Sequence, residues 1–67
     1  MLPYQERVIA EKSALDQNIA KLETFTEGET FPTLPEDEQD RLNRQLVIMD
    51  DYSAVLGERI SAFTTEQ

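Results

Sequence analysis

Apolar residues recur every seven positions in the second half of the chain, and this spacing most constrains the fold. One line consists of Leu42, Met49, Leu56 and Phe63. Residues seven apart lie on one face of an α-helix, whereas a half-buried strand alternates with period two, which is not seen here. The spacing predicts a helix from about residue 35 to 64, with this line turned toward another element.

The first half carries a shorter line with the same spacing. Val8, Leu15 and Leu22 are seven apart, and Pro3 stands where the first turn of a helix tolerates proline. We predict a helix from about residue 3 to 24 and a loop from about 25 to 34. Residues 1–67 then form a single all-α domain, an antiparallel helical hairpin, because a ten-residue link lets the second helix fold back on the first.

The link contains helix-start signals as well as turn residues. Thr33, with Glu36 three positions later, resembles a capping box and predicts that Thr33 caps the second helix. Three acidic residues follow, where the positive end of the helix dipole favours them. Phe31 and Leu34 are expected to plug the closed end of the hairpin.

A second apolar stripe has no partner within such a hairpin. Ile48 and Val55 are seven apart on a neighbouring face of the second helix. A chain of 67 residues buries only about 60% of the surface that its unfolded form exposes, so it needs further stabilisation. The sequence has no Cys and no His, which excludes disulfides and makes a zinc site unfavourable. We therefore expect self-association, although isolated exposed apolar residues are common on protein surfaces.

Composition excludes several functions. Fourteen acidic residues against six basic ones give a net charge of −8, which disfavours binding to DNA or RNA. No apolar run approaches the roughly 20 residues of a membrane span, and the start of the chain does not resemble a signal peptide, so we expect a cytoplasmic protein. Without His or Cys, and with carboxylates that read as solvated surface, we predict a non-enzyme with no cofactor.

Some polar residues near the predicted seam allow two interpretations. Glu11 and Asn18 share a seven-residue line with Tyr4 and Phe25. Such residues either specify the register of the helices or line a wet cavity between subunits. Tyr4 is either an aromatic residue at the edge of the core or a platform on which a nucleobase stacks.

The whole pattern resembles a known family. The segments "LPYQERVIAEKSALDQNIAKLETF" and "EDEQDRLNRQL", followed by "LGERI" and a later Phe, are similar to bacteriophage anti-CBASS cyclic-nucleotide sponges, whose hairpin domain also occurs in anti-Thoeris sponges. This resemblance implies a homohexamer that binds cyclic di- and trinucleotides, such as 3′,3′-cyclic GMP–AMP, between protomers. Such proteins sequester the host's immune signal without cleaving it, so the CBASS effector is not activated.

The resemblance also implies ligand-binding residues. Tyr4 matches the family's N-terminal aromatic residue, and Lys12 and Lys21 match basic positions in "EKSALD" and "AKLE". Arg59 in "GERI" is a candidate for a second site. We add Arg7 on chemical grounds, because it lies one turn from Tyr4 and Arg pairs well with phosphate. Each of these charges would otherwise be an ordinary solvated side chain.

Two other functions remain open on the sequence. The second stripe could dock on another protein, which would make the chain an oligomeric adaptor with no small ligand. An acidic mimic of nucleic acid is a weaker alternative, because six basic residues along the helices interrupt a uniform acidic face.

Overall fold

The computed structural model describes residues 1–65, with side chains through Phe63. Helix α1 spans Pro3–Glu27, a 3₁₀ turn spans Phe31–Thr33, and helix α2 spans Glu36–Thr65. The two helices pack along each other in a rod of 50 × 15 × 14 Å, which confirms the predicted all-α hairpin. Within residues 1–65, neither helix has an apolar stretch suited to spanning a bilayer. The last two residues of the predicted 1–67 domain lie outside the described residues.

The start of α1 is held by its own third residue. Pro3 occupies the first helical position, and the Leu2 carbonyl accepts from the backbone N–H groups of Gln5 and Glu6 at 3.0 and 3.2 Å. The buried Gln5 side chain reaches back, so that its Oε1 accepts from the Leu2 N–H at 3.0 Å. This is the Glu/Gln half of a capping box, and it fixes the first turn, which carries Tyr4.

The connection between the helices is shorter than predicted. Helix α1 continues to Glu27, so residues 25–27, expected in the loop, are helical. The Gly28 N–H then donates to the Phe25 carbonyl at 3.2 Å. The Phe25 and Phe31 rings meet at right angles with centroids 6.4 Å apart, and Phe31 and Leu34 are half-buried at the closed end.

The prediction that Thr33 caps α2 is wrong. The Thr33 hydroxyl donates to the Thr30 carbonyl inside the 3₁₀ turn, so it is not aimed at α2. Helix α2 begins at Glu36, where the Pro35 carbonyl accepts from the N–H groups of Glu38 and Gln39 at 3.0 Å. The three predicted acidic residues do occupy the first turn of α2.

The apolar core is thin and lies toward the open end of the hairpin. Val8, Leu56 and Phe63 are buried against one another, with Leu15 and Ile60 packed around them. Leu56 is 1% exposed, whereas Leu42 and Met49, on the same predicted line, are only half-buried. The helices therefore hold each other along one narrow seam.

Replacing Leu56 with Ala should destabilise the hairpin strongly. A buried Leu→Ala change typically lowers the free energy of unfolding by about 2–5 kcal/mol, a large part of the stability of a small domain. The matched control is Val47→Ala, because Val47 is 60% exposed on the same helix. Urea unfolding followed by circular dichroism, at one fixed chain concentration, should show a large loss for the first variant only. Equal losses in both would contradict this account of the core.

Candidate functional site

A continuous apolar stripe on α2 is left uncovered by α1. Ile48 is 61% exposed and Val55 is 51% exposed, in agreement with the prediction that this stripe has no partner inside the hairpin. Tyr52, one turn from each of them, is also exposed. Exposed apolar patches of this kind mark interaction surfaces more often than isolated apolar residues do.

Two side-chain contacts identify the two sides of the hairpin. On one side the Tyr4 and Phe63 rings meet edge to face, with centroids 5.4 Å apart and planes at 83°. On the other side the Ser53 hydroxyl donates to Asp16. We call the first side the Tyr4 face. Residues seven apart share a face of a helix, so this side can be followed along both helices. Its lines are Tyr4, Glu11, Asn18 and Phe25 on α1, and Gln45, Tyr52 and Arg59 beside Arg41, Ile48 and Val55 on α2.

Tyr4 combines exposure with a fixed orientation. Its side chain is anchored by the Phe63 ring, and the residue is still 42% exposed. An edge-to-face pair of this type is worth about 0.5–1.5 kcal/mol beyond its buried area. The ring is thus held in place while part of its surface stays accessible, as a stacking platform requires.

Most of the basic side chains lie on or beside the Tyr4 face. Among side chains that the structure describes, no ion pair is formed by Arg7, Lys21, Arg44 and Arg59. Arg41 differs, because its guanidinium contacts Glu38 at 2.8 Å and Asp37 at 3.5 Å. These four cations have no acidic partner among the described side chains and are therefore available to an anion.

The predicted site residues fall at different heights along the rod. Tyr4 stands level with Phe63. Arg7 is three residues and Arg59 four residues from this level, or about 4.5 and 6 Å at 1.5 Å per residue. Lys21 is seventeen residues beyond Tyr4 on α1, about 25 Å away by the same rise. Tyr4 and Lys21 of one hairpin are therefore too far apart to be neighbours in one compact site.

Lys12 lies on the opposite side and already has partners. Its Nζ lies 2.8 Å from Asp16 Oδ2 and 3.0 Å from Ser53 Oγ. The Ser53 hydroxyl accepts from Lys12 and donates to Asp16 Oδ1, so the three groups form a closed cluster that joins α1 to α2. The structure thus separates Lys12 from Tyr4, Arg7 and Arg59, and its role as a phosphate contact stays a prediction.

Next to this cluster is an open groove of about 510 Å³. Apolar side chains, including Ile9, Ala20 and Ile60, form much of its lining, and Lys12 and Asp16 supply the charges. Because these two charges neutralise each other, the groove presents less attraction for an anion than the Tyr4 face does.

The Lys12 cluster also changes the acidity of Asp16. Hydrogen bonds from the Lys12 ammonium and then from the Ser53 hydroxyl lower the pKa of Asp16 below its ordinary value of 3.8. Donors to a carboxylate stabilise its charged form. At neutral pH Asp16 is therefore a poor general base, and its contacts serve to join the helices.

Tyr52 was missing from the residues chosen on the sequence. It lies on the Tyr4 face, on the same seven-residue line as Arg59, and it is exposed. The signal was present in that spacing. The spacing alone does not show that Tyr52 is accessible, because that depends on α1 leaving this flank of α2 uncovered.

Comparison with known proteins gives one match. The family model described as Sequestin matches residues 2–62, which include both helices almost completely. Searches of curated proteins and of solved structures found no match.

Replacing Ser53 with Ala should raise the pKa of Asp16 toward 3.8, because one of its two hydrogen-bond donors is lost. Since the folded pKa lies below the unfolded one, the stabilisation from Asp16 is present above the unfolded pKa and is lost as the pH falls through the folded pKa. Carboxyl-carbon NMR titration of wild type, Ser53→Ala and the control Ser13→Ala checks this. An unchanged Asp16 titration in Ser53→Ala would show that the cluster does not form in solution.

Proposed function

The chain belongs to the Sequestin family, and on this premise we propose that it binds small anionic signalling nucleotides and sequesters them unchanged. The family's name supports binding rather than catalysis. The observation that carries the proposal is the exposed, anchored ring of Tyr4 close to the unpaired cations Arg7 and Arg59. An aromatic surface beside guanidinium groups suits a ligand that has both a base and a phosphate.

In this site Tyr4 stacks on a nucleobase. Base–aromatic stacking is worth about 1–3 kcal/mol per base. The Phe63 edge contact supports this role, because a side chain that is already ordered loses less entropy on binding. Since stacking does not depend on the hydrogen-bonding edge of a base, the same ring accommodates more than one nucleotide.

Arginine side chains hold the phosphates. Arg7 and Arg59 lie near the level of Tyr4 and have no acidic partner among the described side chains. Charge-assisted Arg–phosphate pairs are roughly twice as strong as neutral hydrogen bonds and are often bidentate. Lys21, about 25 Å further along α1, contacts the same ligand only when it comes from another copy of the chain.

The complete site lies between copies of the hairpin. The uncovered stripe of Ile48, Tyr52 and Val55 supports self-association through the Tyr4 face, and a symmetric contact brings the same patch from each copy together. Such a junction also gathers cations from several chains, which a subunit of net charge −8 requires for a dianionic ligand. We propose a homohexamer, in line with the resemblance to the phage sponges.

The resemblance also defines the biological role that we propose. The ligands are cyclic di- and trinucleotides such as 3′,3′-cyclic GMP–AMP, and the protein acts in the cytoplasm of a bacterial host during phage infection. Holding the signal keeps the CBASS effector inactive. Lasting inhibition then requires tight binding and an excess of sites, since no bond in the ligand is broken.

The exposed stripe also favours a second candidate, an adaptor that docks on another protein. Ile48 and Val55 lie nearer the middle of the rod than Tyr4 does, so a protein partner could cover them without touching Tyr4. The two functions differ in their dependence on Tyr4, which only the nucleotide site needs.

Purified protein should bind 3′,3′-cyclic GMP–AMP in isothermal titration and release it intact on denaturation. Tyr4→Ala should weaken binding by about tenfold or more, the scale of one lost base stack, and Tyr4→Trp should retain most of it. Chromatography of the released ligand separates sequestration from hydrolysis. Absence of binding heat for a panel of cyclic oligonucleotides would refute the sponge function and leave the adaptor.

Ile48→Glu should break the assembly into smaller species, because it places a charge in the apolar interface. Val47→Glu is a closely matched control. Val47 is next to Ile48 in the chain and is equally exposed, but its side chain points away from the Tyr4 face. Native mass spectrometry with and without the ligand panel gives the stoichiometry of each variant. A wild-type chain that is well folded and monomeric at micromolar concentration would overturn the inter-subunit site.

A further inference from the structure

The Lys12 cluster is the best-defined polar contact between the two helices. Lys12 and Asp16 are one turn apart on α1, and Ser53 approaches them from α2. The Lys12–Ser53 bond joins residues 41 positions apart in the chain. Ser53 accepts from Lys12 and donates to Asp16, and both of these interhelical bonds form together only in one relative placement of the helices.

Gly57 makes room for this arrangement. A Cβ atom added at Gly57 would lie 3.3 Å from Lys12 Cε, closer than most carbon contacts. Glycine inside a helix is about 0.5–1 kcal/mol less stable than Ala, and Gly57 has no positive φ that would require it. An alanine at this position would require the Lys12 side chain to shift by a few tenths of an ångström, so the glycine accommodates the observed path of Lys12 across α2.

The apolar seam does not define the register of the helices by itself. Both helices repeat their apolar residues every seven positions, so a slide by one repeat, about 10 Å, again sets apolar rows against each other. Such a slide would keep the Lys12–Asp16 pair, which lies within α1, but it would replace Ser53 with Leu46 or Ile60, so both interhelical hydrogen bonds would be lost. Polar groups in apolar seams select one register in this way, by penalising the alternatives.

We propose that Lys12, Asp16 and Ser53 are positioning residues that set the register of α1 against α2 and do not contact the ligand. These residues influence the open end of the hairpin, because the register determines which residue of α2 stands level with Tyr4. In the observed register this residue is Phe63, which orients the Tyr4 ring and brings Arg59 near it. The consequence for ligand binding rests on the proposed nucleotide site, whereas the register itself does not.

The test compares Lys12→Met, Asp16→Asn and Ser53→Ala with the control Ser13→Ala and the conservative variant Ser53→Thr. Interhelical NOEs between Tyr4 and Phe63, measured well below the unfolding temperature, report the register. We expect all three cluster variants to weaken these NOEs and to lower affinity for 3′,3′-cyclic GMP–AMP by about fivefold, the scale of one hydrogen bond. Both controls should retain wild-type NOEs and affinity.

A direct phosphate contact by Lys12 predicts a different pattern. Asp16→Asn would then free the ammonium and remove a negative charge, so affinity would rise while Lys12→Met abolished it. That pattern, or unchanged NOEs in all three cluster variants, would overturn the proposal. If wild type binds no cyclic nucleotide, the proposed function fails, but the NOEs still decide whether the cluster sets the register.

Discussion

Two helices can cover only one flank of each other, and the rest of this structure follows from that limit. The core consists of a few residues around Leu56 and Phe63, and α2 keeps a second apolar stripe in the open. A larger domain would cover such a stripe with another element. Among residues 1–65 no further element covers it, so the stripe stays available for contact with other molecules.

Charge is distributed unevenly over the surface left by this packing. The chain is strongly acidic, yet Arg7, Lys21 and Arg59 lie on or beside the Tyr4 face without acidic partners among the described side chains. Arg41 is paired with neighbouring carboxylates, and Lys12 is held on the other side by Asp16 and Ser53. An acidic protein can bind an anion in this way, provided that the site collects the cations and leaves the carboxylates outside it.

Local signals predicted most of the architecture but failed where two local interactions competed. Seven-residue spacing predicted both helices and the exposure of Ile48 and Val55. The capping pattern at Thr33 failed because the preceding 3₁₀ turn uses the Thr33 hydroxyl, and α2 starts after Pro35. The end of α1 was placed three residues early for a similar reason, since the loop signals around Gly28 do not say where helical hydrogen bonding stops.

The candidate site was predicted less completely than the fold. Tyr4 and Arg7 are one turn apart on one helix, so the sequence alone made them neighbours. It also determined that each helix has an apolar face and that one stripe is left over, because residues seven apart share a face wherever the helix lies. Only the tertiary structure decided that Arg59 stands near Tyr4, that Lys21 is far away and that Lys12 is engaged elsewhere. Those relations depend on the register between two helices. The Lys12–Ser53 contact, to which we attribute the register, joins residues 41 positions apart, beyond the reach of local sequence patterns.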